Sequence, residues 1–163
     1  RAAMTGHQVY STLHTNSAVG AIPRLLDIGI VPDIMAGNII GVIAQRLVRK
    51  LCRTCRQPYD PDVRERRLLG LTPTEPATLY RAVGCEQCDY QGYRGRMSIL
   101  EILKIDAAID ELIARRATAR EIQTAALAKG FRTLADDGIR RVKLGVTGLD
   151  ELMRVVDLTD RMT

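Results

Sequence analysis

Cys52-Arg-Thr-Cys55 and Cys85-Glu-Gln-Cys88 are two matched cysteine pairs, and together they contain all four cysteines of this 163-residue chain. Each Cys-x-x-Cys pair can wrap a tight turn around one ion, and two such pairs supply the four thiolates of a tetrahedral structural zinc site. Because sulfur would fill all four positions, none is left for water, and the site is predicted to be structural rather than catalytic. The predicted zinc ligands are Cys52, Cys55, Cys85 and Cys88.

Two other uses of the cysteines stay open at this point. Two disulfides would suit a small secreted domain, although a chain of this length can build a core without them. A thioredoxin-like redox centre needs only one Cys-x-x-Cys motif in a strand–helix setting, not two matched pairs. The pattern therefore favours zinc over either form of disulfide chemistry.

The composition indicates a soluble protein with one ordinary core and a small appendage. Hydrophobic residues make up 46% of the chain, which has no tryptophan and one phenylalanine. No apolar run is long enough to span a bilayer, so a cytosolic location is expected. The formal charge of +5 comes from residues 46–67, where eight basic residues face three acidic ones. Arg53 and Arg56 can offset the negative charge of the first cysteine pair, and the basic residues 46–50 are expected to be a solvated face of a helix somewhat more than a contact surface. The rest of the segment could meet acidic lipid, nucleotide phosphate or a partner protein.

The N-terminal part is predicted to form a strand, a polar turn and a helix. Gln8–Leu13 is short and β-branched, which favours a strand. His14 to Ser17 are residue types that cap helices, and the apolar positions from Ala18 to Leu26 suit a helix. Since the chain starts without methionine in what reads as the middle of a domain, we expect it to be a fragment.

A long helix is predicted from Pro32 to Leu51, because apolar residues recur every four positions at Ile39, Ile43, Leu47 and Leu51. It would lead directly into the first cysteine pair.

The proline-rich residues 56–84 are predicted to be a loop-rich insertion with a short helix at Val63–Leu69. Met97 to Ile105 is predicted to be a strand. Four short helices are expected after it, the first from Asp106 to Arg116.

The starts of the other three helices are marked by possible capping boxes, in which a threonine and an acid three residues later satisfy free amide donors. These are Thr118-x-x-Glu121, Thr133-x-x-Asp136 and Thr147-x-x-Asp150.

The order of several motifs resembles one known family. Ala3-Met-Thr-Gly-His7 followed by Ser11-Thr-Leu-His-Thr-Asn16 resembles the histidine box of the secretion ATPases, the motor family of type II secretion and type IV pilus assembly. Ala44-Gln-Arg-Leu47 before the first cysteine pair, and Gly92-Tyr-Arg-Gly-Arg96 after the second, match the same family in order. The resemblance covers essentially the whole chain.

The resemblance implies an α/β fold: the C-terminal part of a RecA-like ATPase domain with an inserted four-cysteine zinc module and a C-terminal helical bundle. Residues 1–49 would end the ATPase core and include the histidine box and the long helix. Residues 50–96 would form the zinc-binding module, and residues 97–163 a strand plus a helical region.

The resemblance also implies a function. Members of this family work as hexameric rings at the cytoplasmic face of the inner membrane, where turnover of ATP with Mg²⁺ drives a platform protein. His7 and His14 match the histidine-box positions and would lie near the γ-phosphate. Such a role is chemically sound, because an imidazole donates a hydrogen bond to phosphate and changes charge near neutral pH.

The chain departs from the family pattern in one respect that bears on activity. A phosphate loop needs Gly-x-x-x-x-Gly-Lys-Ser/Thr, and the sequence contains no Gly-Lys dipeptide. It also lacks an apolar strand ending in the acidic pair that would hold Mg²⁺. Both motifs would lie upstream in a full-length relative, so this chain is expected to be inactive on its own.

A free-standing zinc ribbon that binds nucleic acid through residues 46–67 is the alternative. Basic residues beside a four-cysteine site suit it, but the segment lacks interleaved aromatic residues for base stacking. Within the secretion-ATPase reading, the sequence does not separate type II secretion from pilus assembly. Retraction motors are disfavoured, because that branch typically lacks the four-cysteine insertion.

Overall fold

The computed structural model describes residues 2–161. These residues form seven α-helices and four β-strands, which confirms a mixed helix and strand composition. The helices are α1 (Ala21–Asp27), α2 (Pro32–Met35), α3 (Val63–Leu68), α4 (Ala107–Ala114), α5 (Ala119–Ala128), α6 (Leu134–Lys143) and α7 (Leu149–Val155). The strands are β1 (Gly41–Leu51), β2 (Gln57–Tyr59), β3 (Leu79–Arg81) and β4 (Tyr93–Lys104). None of these helices is both long enough and apolar enough to cross a membrane.

The described residues divide into two compact units. The first unit contains residues 2–44 and 101–132, and the second contains residues 45–100 and 133–161. Strands β1 and β4 pair with each other, and each contributes residues to both units. The finer division into residues 1–49, 50–96 and 97–163 stays a prediction.

Short helices build the core of the first unit. Met35 of α2, Ile109 and Ile113 of α4, and Ile122 of α5 are each 1% exposed. Helix α4 packs against both α2 and α5. Its two buried isoleucines lie four positions apart, so the helical period of the sequence decides which face of α4 is buried.

The predicted strand at Gln8–Leu13 is wrong. The chain is irregular there, and Val9 and Tyr10 are exposed. β-branched residues favour a strand only where a neighbouring strand offers hydrogen-bond partners, and the segment is in no sheet of the described chain. The helix predicted from Ala18 is confirmed, with its start at Ala21.

The predicted helix from Pro32 to Leu51 is also wrong. Only α2 is helical there, and most of the remainder forms β1. Ala44 and Val48 are buried, whereas Ile43 and Leu47 are 66% and 54% exposed. Residues four positions apart lie on one face of a helix and also on one face of a strand, because four is close to the helical period of 3.6 and is twice the strand period of two. The apolar repeat therefore could not distinguish a helix from a strand. The β-branched residues of this segment favour a strand, and the prediction did not take them into account.

The second unit contains an antiparallel pair of short strands, in which Pro58 of β2 lies opposite Tyr80 of β3. Helix α3 lies between them in sequence and confirms the short helix predicted in the loop-rich region. A capping box between Asp62 and Glu65 starts it. Leu68 and Leu79, at the end of α3 and the start of β3, are each 1% exposed and belong to the core of this unit.

Helices α6 and α7 of the second unit pack very closely. A Cβ atom on Gly138 of α6 would lie 2.2 Å from Cδ1 of Leu152 on α7. Leu152 is completely buried. Only glycine at position 138 allows the two helices to approach this far.

Two of the three predicted capping boxes are confirmed. Thr118 and Thr133 each accept a hydrogen bond from the backbone N–H three residues later, and the acid at that position accepts one from the threonine N–H. The box predicted at Thr147 is wrong, because Gly148 is the N-cap residue of α7. The Thr147 hydroxyl instead donates to the Arg49 carbonyl at 2.8 Å. The predicted four helices after β4, and the strand within β4 itself, are confirmed.

Candidate metal centre

The four cysteines come together in the second unit. Their Sγ atoms all lie within 4.8 Å of one another, and the four thiols are not joined in disulfides. Sγ of Cys52 is 3.9 Å from Sγ of Cys85, and Sγ of Cys55 is 3.8 Å from Sγ of Cys88. Within the second pair, the two Sγ atoms are 3.9 Å apart.

These distances fit a tetrahedral metal ion. Four sulfurs at about 2.3 Å from a central zinc would be about 3.8 Å apart, whereas two bonded sulfurs are only about 2.05 Å apart. The donor set is entirely soft sulfur, which suits zinc and leaves no position for water. The cluster can therefore hold one metal ion in a closed, structural site.

Backbone amides point at two of the sulfurs. Sγ of Cys88 accepts the N–H groups of Cys85 and Gly92, each at 3.2 Å. Sγ of Cys55 accepts the N–H of Gly84 at 3.3 Å. These bonds disperse negative charge on the sulfurs, as the outer contacts of metal sites do.

Two glycines give the second knuckle, Cys85–Cys88, its tight path. Gly92 has φ +77°, and a Cβ atom there would lie 2.7 Å from Cβ of Ala82. Gly84 has φ +122°, and a Cβ atom there would lie 2.7 Å from the Tyr90 carbonyl oxygen. A side chain at either position would push the backbone away from the sulfurs.

The thiols differ in proton affinity. Burial raises the pKa of Cys52, but hydrogen bonds within the first knuckle, Cys52–Cys55, and to the thiol of Cys85 outweigh it and lower the pKa to about 6. Burial and the hydrogen bonds to neighbouring thiols raise the pKa of Cys85 to about 11. Four thiolates so close together would repel one another, and a divalent cation held by them would supply the charge that allows all four to stay deprotonated.

The first knuckle is anchored by backbone hydrogen bonds to residues far away in the sequence. The N–H of Leu51, at the end of β1, donates to the Val146 carbonyl at 2.9 Å, and the N–H of Cys52 donates to the Gly92 carbonyl at 3.0 Å. Cys52 is buried. The first knuckle is therefore tied both to the glycine beside the second knuckle and to the segment before α7.

Arg56, directly after the first knuckle, makes contacts with Tyr80 and Gly145 that were not predicted from the sequence. Its guanidinium lies 4.1 Å from the centre of the Tyr80 ring and donates to the Gly145 carbonyl. A Cβ atom on Gly145, where φ is +70°, would lie 2.8 Å from the same ring. Nothing in the sequence around Arg56 indicates a partner 89 residues away.

The two predicted histidines lie in the first unit, and both are exposed. Nδ1 of His7 is 3.0 Å from Oγ1 of Thr5, whose hydroxyl donates to the Ala2 carbonyl at 2.8 Å. His14 lies in the irregular segment that precedes α1. Their phosphate-sensing role stays a prediction.

Comparison with known proteins gives a consistent result. A family model described as "Type II/IV secretion system protein" matches residues 1–154. The type II secretion system ATPase E of Vibrio cholerae is 46% identical over 159 residues, which cover 95% of this chain and 31% of that protein. The type IV pilus assembly ATPase PilB of Thermus thermophilus is 43% identical over 154 residues, 93% of this chain and 17% of that protein.

The chain thus spans less than a third of the length of these relatives. A single family model covers both histidines and both cysteine pairs. The chain belongs to the type II/IV secretion system protein family.

Proposed function

We propose that this chain is the C-terminal part of a cytoplasmic ATPase that powers type II secretion or type IV pilus assembly. The observation that carries the proposal is the family match over residues 1–154, which includes the histidines and the four-cysteine cluster. Relatives from both machines are named as ATPases. In the proposed parent the subunits form a hexameric ring at the inner membrane.

In this proposal residues 1–49 end a RecA-like core, and residues 97–163 supply a strand and the C-terminal helical region. One zinc ion is held by Cys52, Cys55, Cys85 and Cys88, whose sulfur spacing supports it. Zinc supplies no reaction chemistry there, because four thiolates close the site. Its contribution is to join the two knuckles of the second unit.

His7 and His14 are proposed to meet the γ-phosphate in the parent. Both imidazoles are exposed and therefore accessible to a ligand. ATP and Mg²⁺ would be held by a phosphate loop outside this sequence, since residues 1–163 contain no Gly-Lys pair. The chain is therefore proposed to be inactive by itself.

The proposed partners are the platform and docking proteins of the secretion or pilus machine, not nucleic acid. Three arginines of the basic segment are engaged within the protein: Arg49 with Glu151, Arg56 with the Gly145 carbonyl, and Arg66 with Asp60. Guanidinium groups held this way are less available to a phosphate backbone. This observation disfavours the nucleic-acid alternative.

A chimera tests the motor assignment. The matching segment of the Vibrio cholerae relative is replaced by this chain, and ATP hydrolysis and secretion are measured in a strain that lacks the native protein. We expect both to be restored. A folded, zinc-loaded chimera that hydrolyses no ATP would contradict the assignment, and a parallel chimera in the pilus relative shows which machine the segment serves better.

The histidine role is tested in the same chimera. His14→Ala is expected to lower turnover with little loss of stability, whereas Tyr10→Phe, in the same exposed segment, leaves turnover unchanged. Normal turnover with alanine at position 14 would remove His14 from the mechanism and leave the rest of the assignment intact.

Intact mass tests the metal. The purified chain is expected to carry one zinc under native conditions and to lose it in acid, with four free thiols remaining. A metal-free mass lowered by four hydrogens would instead mean two disulfides.

A further inference from the structure

Glu101 lies on the buried face of β4 in the first unit. It is 5% exposed, and Leu103, the next residue on that face, is 1% exposed. A carboxyl group in such surroundings costs free energy unless hydrogen bonds offset its lost hydration. A leucine would fill the position without this cost, so the carboxyl group calls for a specific role.

The carboxyl group holds the backbone of a distant loop. Oε1 of Glu101 accepts the N–H of Ala18 at 2.5 Å, across 83 residues of sequence. Ala18 is itself completely buried. A short hydrogen bond that a buried amide donates to a carboxyl oxygen fixes both segments in place.

Further hydrogen bonds extend this tie toward His14. Oγ of Ser17 accepts the N–H of Gly20 at 3.0 Å, and the Thr15 hydroxyl donates to the Ser17 carbonyl at 2.9 Å. Residues 15–20 thus form a loop that is held by internal hydrogen bonds, and Glu101 attaches this loop to β4. His14 immediately precedes the loop and is exposed.

We propose that Glu101 is a positioning residue, which sets the place and orientation of the His14 imidazole by holding the loop that follows it. The part of this inference that concerns turnover rests on the proposed function. The part that concerns geometry does not, because it applies to the chain without nucleotide. Glu101 itself touches no reacting group in this proposal.

The geometric part is tested by NMR on the purified chain, whose two histidines give two imidazole signals. The His14 signal is assigned with His7→Gln. Glu101→Met keeps the side-chain volume and removes the acceptor, and it is expected to shift the His14 signal but not the His7 signal. Glu101→Gln keeps an acceptor oxygen and should restore the His14 signal close to its original position.

Asp110→Ala is the matched control. Asp110 is another first-unit carboxylate that accepts a distant backbone N–H, from Gly37 at 2.9 Å. Its loss should leave the His14 signal in place. An unmoved His14 signal in a folded, zinc-loaded Glu101→Met variant would overturn the proposal, and so would an equal shift caused by Asp110→Ala.

The turnover part is tested in the chimera. Glu101→Met is expected to lower kcat by up to about 100-fold, the loss that a misplacement of about 1 Å can cause, and Glu101→Gln to recover most of it. Combining Glu101→Met with His14→Ala should cost no more than His14→Ala alone, because residues that act through one another are not additive.

The two hypotheses fail in different ways. If His14→Ala lowers kcat and Glu101→Met does not, positioning is refuted while the proposed function stands. If His14→Ala leaves kcat unchanged while Glu101→Met still shifts the His14 signal, positioning stands and the phosphate role of His14 falls.

Discussion

Arg49 and Glu151 form a three-point contact inside the second unit. The backbone N–H of Arg49 donates to Oε1 of Glu151 at 3.1 Å, and its Nε and Nη2 donate to Oε2 at 3.0 and 2.6 Å. The guanidinium also lies 4.1 Å from the centre of the Tyr93 ring. Glu151 is 4% exposed. This contact holds α7 to β1 just before the first knuckle.

Removing the arginine should destabilise the second unit. Arg49→Ala leaves the buried Glu151 carboxylate without its main partner, and we expect a loss of about 2–3 kcal/mol in the free energy of unfolding. The loss is smaller than for a fully buried pair, because the Arg49 side chain is 39% exposed. Urea titration measures it.

Arg154→Ala is the control for that experiment. Arg154 reaches the same carboxylate at 3.4 Å, but its side chain is 65% exposed. Exposed pairs contribute about 0–1 kcal/mol. An equal effect of the two alanine variants would contradict the special role of Arg49.

Acid should weaken the same contact. Burial raises the pKa of Glu151, but the hydrogen bonds from Arg49 outweigh it and hold the pKa below its ordinary value of 4.5. The carboxylate therefore contributes stability that is fully present above about pH 4.5 and is lost as pH falls through the lower folded-state pKa.

The comparison for this prediction is Glu151→Gln, which lacks the titrating group. The stability difference between the native chain and this variant should shrink as pH falls below 4.5. Zinc loss in acid affects both proteins and so largely cancels in the difference. A difference that stays constant down to low pH would show that Glu151 does not titrate in this way.

Gly138→Ala should destabilise the chain although alanine favours helices. The added Cβ would lie 2.2 Å from Cδ1 of Leu152. We expect overpacking to cost about 1–3 kcal/mol, partly offset by the higher helix propensity of alanine. In a Leu152→Ala background the added methyl group should cost nothing, and a thermal-melting cycle of the four proteins checks this coupling.

Gly92→Ala should weaken zinc binding. The residue has φ +77°, and the new Cβ would lie 2.7 Å from Cβ of Ala82, next to the amide that bonds Sγ of Cys88. Competition with a chromogenic chelator measures the affinity. We expect a loss of about 10- to 100-fold, the range seen when outer contacts of a metal site are removed.

Gly70→Ala separates backbone strain from steric clash. Gly70 has φ +67°, but a Cβ atom there would meet nothing within 4 Å. This variant bears a similar backbone strain at a site away from the sulfurs, so its zinc affinity should match that of the unchanged chain. A matching loss in both variants would rule out a local effect at the second knuckle.

Features with local causes could be predicted from sequence. The spacing of the cysteines indicated a four-sulfur cluster, and the sulfur distances of 3.8–3.9 Å agree with it. The capping boxes at Thr118 and Thr133 were predicted correctly, because a threonine and an acid three positions apart meet within one helical turn. In each case the interacting groups are close in sequence or form motifs whose spacing is set by one ion that they could bind.

Thr147 shows where such local reasoning fails. Its sequence context resembles that of Thr118, yet its hydroxyl bonds the carbonyl of Arg49 instead of capping α7. Thr147 is completely buried, so its hydroxyl needs a partner that the fold itself provides. The residues next to Thr147 in the sequence give no information on Arg49, which is 98 positions away.

The sequence by itself determined the cysteine cluster, two capping boxes and the family of this chain. Only the tertiary structure decided that residues 41–51 are a strand, and that Arg49 meets Glu151 and Glu101 meets Ala18. The physical reason is the range of the interactions. Helix caps are stabilised by neighbours along the chain, whereas a strand and a buried carboxyl group are stabilised by partners that the folded chain brings from far away.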